Sequence, residues 1–125
     1  STLLASSAAS DVYKRQDIDN TIKKEGERII AKIPKGAMIF AMCIEGTLIS
    51  SEQLADKIQT AGLDGKSELV FIIGGSWGLS DEVKRISNAR ISMSRMTFPH
   101  QLARVLLCEQ IYRAFQINSN GKYHK

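Results

Sequence analysis

The stretch Leu69-Val70-Phe71-Ile72-Ile73-Gly74-Gly75-Ser76-Trp77-Gly78-Leu79 decides the fold. An apolar run rich in β-branched and aromatic residues that stops at glycine reads as a buried strand, not a helix. Paired glycines at the carboxyl end of a strand let a ligand approach the backbone, and in open α/β sheets that edge is where ligands bind. Roughly twenty residues on, the spacing of a βαβ unit, Ile91-Ser92-Met93-Ser94-Arg95-Met96-Thr97-Phe98-Pro99-His100 forms a second loop of the same kind. The two loops together predict a small-molecule cleft built mainly from backbone.

Outward from these loops the chain alternates helix and strand. Ile18, Ile22, Ile29 and Ile33 lie on one helical stripe, with Lys23, Lys24, Glu27 and Arg28 mostly away from it. Pro34-Lys35-Gly36 stops that helix, Ala37 to Ile44 reads as a strand, and Glu45-Gly46 turns the chain. Ser50 and Gln53 have the spacing of a capping box for a helix that reaches about Ala61, where Gly62 ends it. Ser80 opens a short helix whose first turn carries Asp81 and Glu82, favourable against the dipole. A brief strand over Ala89–Ser92 follows, and Pro99 starts a helix to about Gln116. This order predicts an α/β fold, a parallel sheet with flanking helices.

The last helix is apolar on nearly all sides. At 100° per residue His100, Ala103, Val105, Leu107, Cys108, Ile111, Tyr112 and Phe115 cover one arc with Arg104 at its centre, while Leu102 and Leu106 lie opposite. Such a helix in so small a protein implies a partner subunit, hence a homodimer. An arginine inside an apolar arc needs an ion pair or an anion, because an unpaired buried charge is costly.

With 125 residues and 43% hydrophobic content, the chain reads as one domain with a modest core. No apolar run approaches the roughly 20 residues of a membrane span, so no membrane role and a cytoplasmic location are expected. Cys43 and Cys108 fall in a strand and a helix and read as buried free thiols. Neither cysteine nor either histidine has metal-site spacing, so no metal is expected. Residues 84–125 hold eight Lys/Arg against one acid, Glu109, for +7, and the remainder, nine against twelve, carries −3. That asymmetry suits a polyanionic partner or a solvated basic face, and charge alone does not separate the two.

FIIGGSWGLS (71–80), ISMSRMTFPHQLARVLLCEQIYRAF (91–115) and the terminal KYHK (122–125) resemble the bacterial large-subunit ribosomal RNA pseudouridine methyltransferase H family, a branch of the knotted SPOUT methyltransferases. The resemblance runs from about Asp17 to Lys125 and is densest in the last 60 or so residues. The MTFPHQ block and the terminal Tyr-His carry it; Gly-Gly-x-x-Gly alone is weak. Residues 1–16 are small and polar without a period and read as a non-native or disordered leader, leaving 17–125 as the domain. The resemblance implies that the first two strands of the family fold are missing, which leaves a sheet edge uncovered. It also implies a trefoil knot over about 69–125, which packing rules alone would never predict.

What the resemblance implies about chemistry is specific. S-adenosyl-L-methionine is held in a bent form by the loops, with contact positions falling on Met42, Gly74 and the run Met93, Ser94, Arg95, Met96, Thr97 and Phe98; Gly75 belongs to the same glycine loop. Met42 stands where the family commonly has leucine, a tolerable apolar exchange, and Trp77 where relatives often have a small or polar residue. The implied reaction methylates N3 of a pseudouridine in 23S ribosomal RNA and needs a positioned base. His100, Arg104, Tyr123 and His124 are the candidates, the tyrosine for stacking on the base and Arg104 for phosphate or an oxyanion. Ser94 and Thr97 read as loop-shaping hydroxyls, not nucleophiles. A noncatalytic RNA- or nucleotide-binding α/β fragment is the alternative. A flavodoxin-like domain fits the glycines but leaves MTFPHQ and the terminal Tyr-His unexplained. A Rossmann dehydrogenase is disfavoured, because no G-x-G-x-x-G follows a first strand.

Overall fold

Period-two alternation along two central strands buries both faces of one sheet. The computed structural model describes residues 2–6, 15–75 and 78–124. The chain runs β1 (Thr2–Ser6), α1 (Arg15–Ala31), β2 (Met38–Leu48), α2 (Ser51–Leu63), β3 (Leu69–Ile73), α3 (Asp81–Ile86), β4 (Ala89–Ser92) and α4 (His100–Asn118). The strands pair in the order β1-β3-β2-β4, and every pairing is parallel. Ile39, Ala41, Val70 and Ile72 pack toward α1 and α3 with Ile29 and Val83. Phe40, Met42, Phe71 and Ile73 pack on the other face with Leu54 and Ile58 of α2 and Leu107 and Ile111 of α4. Phe40 and Phe71 are fully buried and stack at 4.8 Å; burying a side chain of that size contributes about 1.5–3 kcal/mol. The α/β parallel architecture expected from the element order is therefore present.

Several boundaries differ from the expectation, each for a physical reason. Residues 2–6, set outside the domain as part of a leader, form β1 and pair with Leu69 to Ile73. A sheet edge left uncovered by missing strands is expected from the resemblance; this strand covers the β3 side of the sheet. A five-residue parallel strand has no local partner, so nothing near it in sequence betrays its pairing. Ser1, residues 7–14, Ser76, Trp77 and Lys125 lie outside the described residues.

β2 does not turn at Glu45-Gly46 but continues to Leu48. Its register with β4 slips between Met42 and Thr47, both of which pair with Ile91. The extra residues form an irregularity that re-aims Cys43 to Glu45. Gly46 closes it, since a Cβ there would meet the backbone of Arg90 and Ile91 at 2.8 Å.

The capping box of α2 is as expected: Ser50 Oγ accepts from the Gln53 amide at 3.1 Å, and Gln53 Oε1 from the Ser50 amide at 2.8 Å. The helix runs through Gly62, however, and ends on a left-handed Gly65 (φ +83°) whose neighbour Lys66 donates to the Ala61 carbonyl. Pro99 is the N-cap of α4 and not its first residue.

On α4 the buried face is Leu107, Ile111 and Ala114. Arg104, although three and seven residues before Leu107 and Ile111, is exposed, so it requires no buried partner. Cys108 is likewise exposed, not buried, and Cys43 is half-buried; both are free thiols. Leu102, Val105, Tyr112 and Phe115 are between 46% and 63% exposed. A helix apolar all round has no unique stripe, so its inward face is selected by the sheet it packs on.

Candidate functional site

The carboxyl ends of β2, β3 and β4 open into a cavity of about 730 Å³, a size that suits a small-molecule or cofactor site. Met42 and Ile73 form part of its floor, and two loops form its walls. In the glycine loop, the Gly78 amide donates to the Gly75 carbonyl at 3.0 Å, and Gly78 holds φ +88°. A Cβ on Gly74 would lie 2.8 Å from the Gly78 carbonyl carbon and 3.0 Å from the Leu79 nitrogen. The glycine is therefore required by the return limb of its own loop before any ligand is considered.

The second loop is shaped by two serines. Ser92, 1% exposed, donates from Oγ to the Ser94 carbonyl at 2.8 Å, and Ser94 Oγ accepts from the Met96 amide at 2.9 Å. These local bonds fix the shape of the loop, whose residues 92–94 and 96–98 line the cavity. A smaller cavity of about 340 Å³ adjoins and shares Met42, Ile91, Met93 and Phe98.

His100 stands where α4 begins and lines the larger cavity; its Nε2 is buried without a hydrogen-bond partner. A buried polar atom left unpaired costs free energy that a ligand can recover. At the rim, Lys84 Nζ meets Glu45 Oε1 at 2.5 Å. The hydrogen bond from Lys84 holds the Glu45 carboxyl below the usual carboxylate range. Burial pushes the neighbouring Cys43 thiol up, with a smaller contribution from Glu45, so the thiol stays protonated at neutral pH and is a poor nucleophile. Among the described residues no group of three His, Cys, Asp or Glu is placed to hold a metal, and no helix is long and apolar enough to cross a membrane.

A family model described as "Predicted SPOUT methyltransferase" matches residues 3–124. The chain belongs to the SPOUT methyltransferase family. It is 49% identical over 122 residues to ribosomal RNA large subunit methyltransferase H of Bacillus pumilus, covering 98% of this chain and 77% of the relative. The protein of that name from Exiguobacterium sibiricum is 53% identical over 103 residues, 82% of this chain and 65% of the relative. That of Bifidobacterium animalis subsp. lactis is 55% identical, with the same coverage. The chain thus spans about two thirds to three quarters of the length of these relatives. The match begins well before Asp17, the expected start of the resemblance, in keeping with β1 being part of the sheet.

Within this SPOUT fold the expected cofactor positions largely converge. Met42, Gly74, Gly75, Met93, Ser94, Met96, Thr97 and Phe98 line the cavity. Arg95 is exposed and is not among its lining residues. Of the four expected catalytic residues only His100 lies at the cavity; Arg104 is exposed on α4.

Tyr123 and His124 are elsewhere. After α4 a left-handed Asn120 (φ 58°), with Gly121 donating to the Gln116 carbonyl, reverses the chain. Tyr123 then packs edge-on against Tyr112 at 4.9 Å, lies under the Arg113 guanidinium at 4.8 Å and donates to Glu109 Oε1. His124 is 3.0 Å from Arg113 Nη1 through Nδ1 and 2.8 Å from Glu52 Oε2 through Nε2. An arginine only donates and a carboxylate accepts, so the neutral ring protonated on Nε2 satisfies both. Arg113 holds the Glu109 carboxyl down, and His124 does the same to Glu52. The anchor residue Arg113 sits roughly 20 Å along α4 from His100, so one chain does not bring the tail to its own cavity.

Sequence reasoning missed Glu45, Lys84 and Cys43 as cavity residues. Glu45 and Cys43 enter through the register slip in β2, which leaves no mark on a pattern of alternating residues. Ser92 was legible as part of the second loop, but its bond to the Ser94 carbonyl was not.

Proposed function

We propose that the chain binds S-adenosyl-L-methionine in the 730 Å³ cavity and methylates N3 of a pseudouridine in large-subunit ribosomal RNA. The observation that carries the reading is the convergence of both loops on one cavity, with an orphaned His100 Nε2 at its wall. The residues present fit the cofactor: the two loops, one of them rich in glycine, can approach adenine closely, and Met42, Ile73 and Met93 suit the apolar groups around its sulfonium. The bound cofactor would supply an electrophilic methyl on sulfur. The chain's part is to hold the acceptor nitrogen in line with that methyl, where orientation contributes most. The unpartnered His100 Nε2 supports a role for it in receiving the imide proton or holding the nucleobase by a hydrogen bond. The names of the relatives support ribosomal RNA as substrate, and the basic 84–125 segment supports a polyanion. A ribosomal substrate would place the protein in the bacterial cytoplasm, and the trefoil knot implied by the family belongs to the same proposal. Calorimetry should give cofactor binding near one per chain, and tritiated methyl should pass to ribosomal RNA. Cofactor binding with no transfer to any ribosomal preparation would leave only the noncatalytic alternative; no cofactor binding would overturn the reading entirely.

A homodimer completes this proposal. Leu102, Val105, Tyr112 and Phe115 form an exposed apolar side of α4, and a second copy related by a twofold axis would cover it. The same contact would carry the partner's tail toward a cavity that its own chain does not reach. Light scattering should report a dimer at micromolar concentration, and Val105→Glu should shift it to monomer. A folded wild-type monomer at that concentration would reject the dimer.

A further inference from the structure

We propose that the Glu45–Lys84 ion pair at the cavity rim recognises the amino-acid end of the methyl donor, opening to take its ammonium on Glu45 and its carboxylate on Lys84. This rests on the reading of the cavity as a methyl-donor site. Among the described residues that line it, Glu45 and Lys84 are the only ones with a full charge. The remainder is apolar, hydroxyl, thiol, imidazole or backbone, and Cys43 beside them is kept neutral by its raised thiol pKa. A zwitterion laid against such walls without counter-charges would be costly, so its two charges must meet this pair or stay in water.

The pair is built for exchange. Its members come from separate elements: Glu45 from the irregular stretch of β2 between Met42 and Thr47, and Lys84 from α3. Their side chains are 56% and 23% exposed, and an ion pair so open to water is weakly held. Inserting a ligand that carries both charges replaces one such contact by two charge-assisted ones. The low carboxyl pKa of Glu45 keeps it ionised for an ammonium at neutral pH. No nearby motif marks the pair, because it exists only through the slip of β2 against β4.

The test compares S-adenosylhomocysteine with 5′-methylthioadenosine, two adenosyl thioethers that differ in the amino-acid end. By calorimetry on the full-length protein, the wild type should prefer S-adenosylhomocysteine by about tenfold or more. Lys84→Met and Glu45→Gln should each reduce that preference severalfold while leaving affinity for methylthioadenosine within about twofold, and Lys84→Arg should restore most of it. A pair that merely ties α3 to β2 would lower melting temperature or weaken both ligands together. Preference retained in both Lys84→Met and Glu45→Gln would overturn the proposal, as would equal binding of the two ligands by wild type with the methyl-donor site intact. If wild type binds neither ligand, the methyl-donor reading falls and this proposal with it.

Discussion

Gly74→Val should lower methyl-donor affinity by about a hundredfold, the scale expected when about 1–3 kcal/mol of overpacking falls on a binding loop. The reason is geometric. The added Cβ would lie 2.8 Å from the Gly78 carbonyl carbon, a backbone atom that cannot rotate away as a side chain would. Gly78 is held by its bond to Gly75 and by a left-handed φ that other residues rarely adopt. The valine therefore displaces the loop that forms one wall of the cavity. Even Gly74→Ala should show most of the loss, because the clash begins at the first carbon. Gly62→Ala is the matched control: Gly62 lies inside α2, and a methyl group added there would find nothing within 4 Å, so alanine should stabilise by about 0.5–1 kcal/mol. Titration calorimetry and thermal melts on folded samples read both effects. Unchanged affinity in Gly74→Val would show that the loop does not border the cofactor.

The contrast between these two glycines shows what was legible in the sequence. The run Leu69–Ile73 ending at Gly74 announced a strand and the edge where the cavity opens, because buried parallel strands are short, continuous and β-branched. Ser50 with Gln53, and Ser80 before Asp81, announced helix starts through local hydrogen bonds that need only neighbours in sequence. Features that depend on distant partners were hidden. The slip of β2 against β4 is a relation between Thr47 and Ile91, and neither strand's own alternation encodes it. The wheel of α4 put Arg104 in an apolar arc because nearly every direction on that helix is apolar. In the candidate site, the loops could be named from motif and resemblance, whereas the charged rim could not, since Glu45 and Lys84 lie far apart in sequence and read separately as a turn and a helix surface.

Deleting Tyr123, His124 and Lys125 should reduce methylation of ribosomal RNA by at least about a hundredfold and leave methyl-donor affinity within about twofold. Two features set the expectation. The tail anchors on Glu109 and Arg113 of α4 and on Glu52 of α2, none of which lines the larger cavity, so its loss leaves those walls untouched. Its side chains are an aromatic and an imidazole held at the surface by Glu109, Arg113 and Glu52, groups suited to contact a nucleobase and its phosphate once a partner subunit presents them. The competing account is that the tail only staples α4 to α2. Those contacts are exposed or part-buried polar pairs and two ring contacts, each worth little individually, so a staple predicts a small drop in melting temperature and equal, modest losses in binding and transfer. Arg113→Met separates the two accounts further. It removes the guanidinium beside Tyr123 and the partner of His124 Nδ1 while keeping both tail residues in the chain. If the tail acts on RNA, this variant should raise KM for RNA more than it lowers kcat, because tail positioning is loosened but the reacting groups remain. Full-rate methyl transfer after the three-residue deletion would assign Tyr123 and His124 to the staple alone.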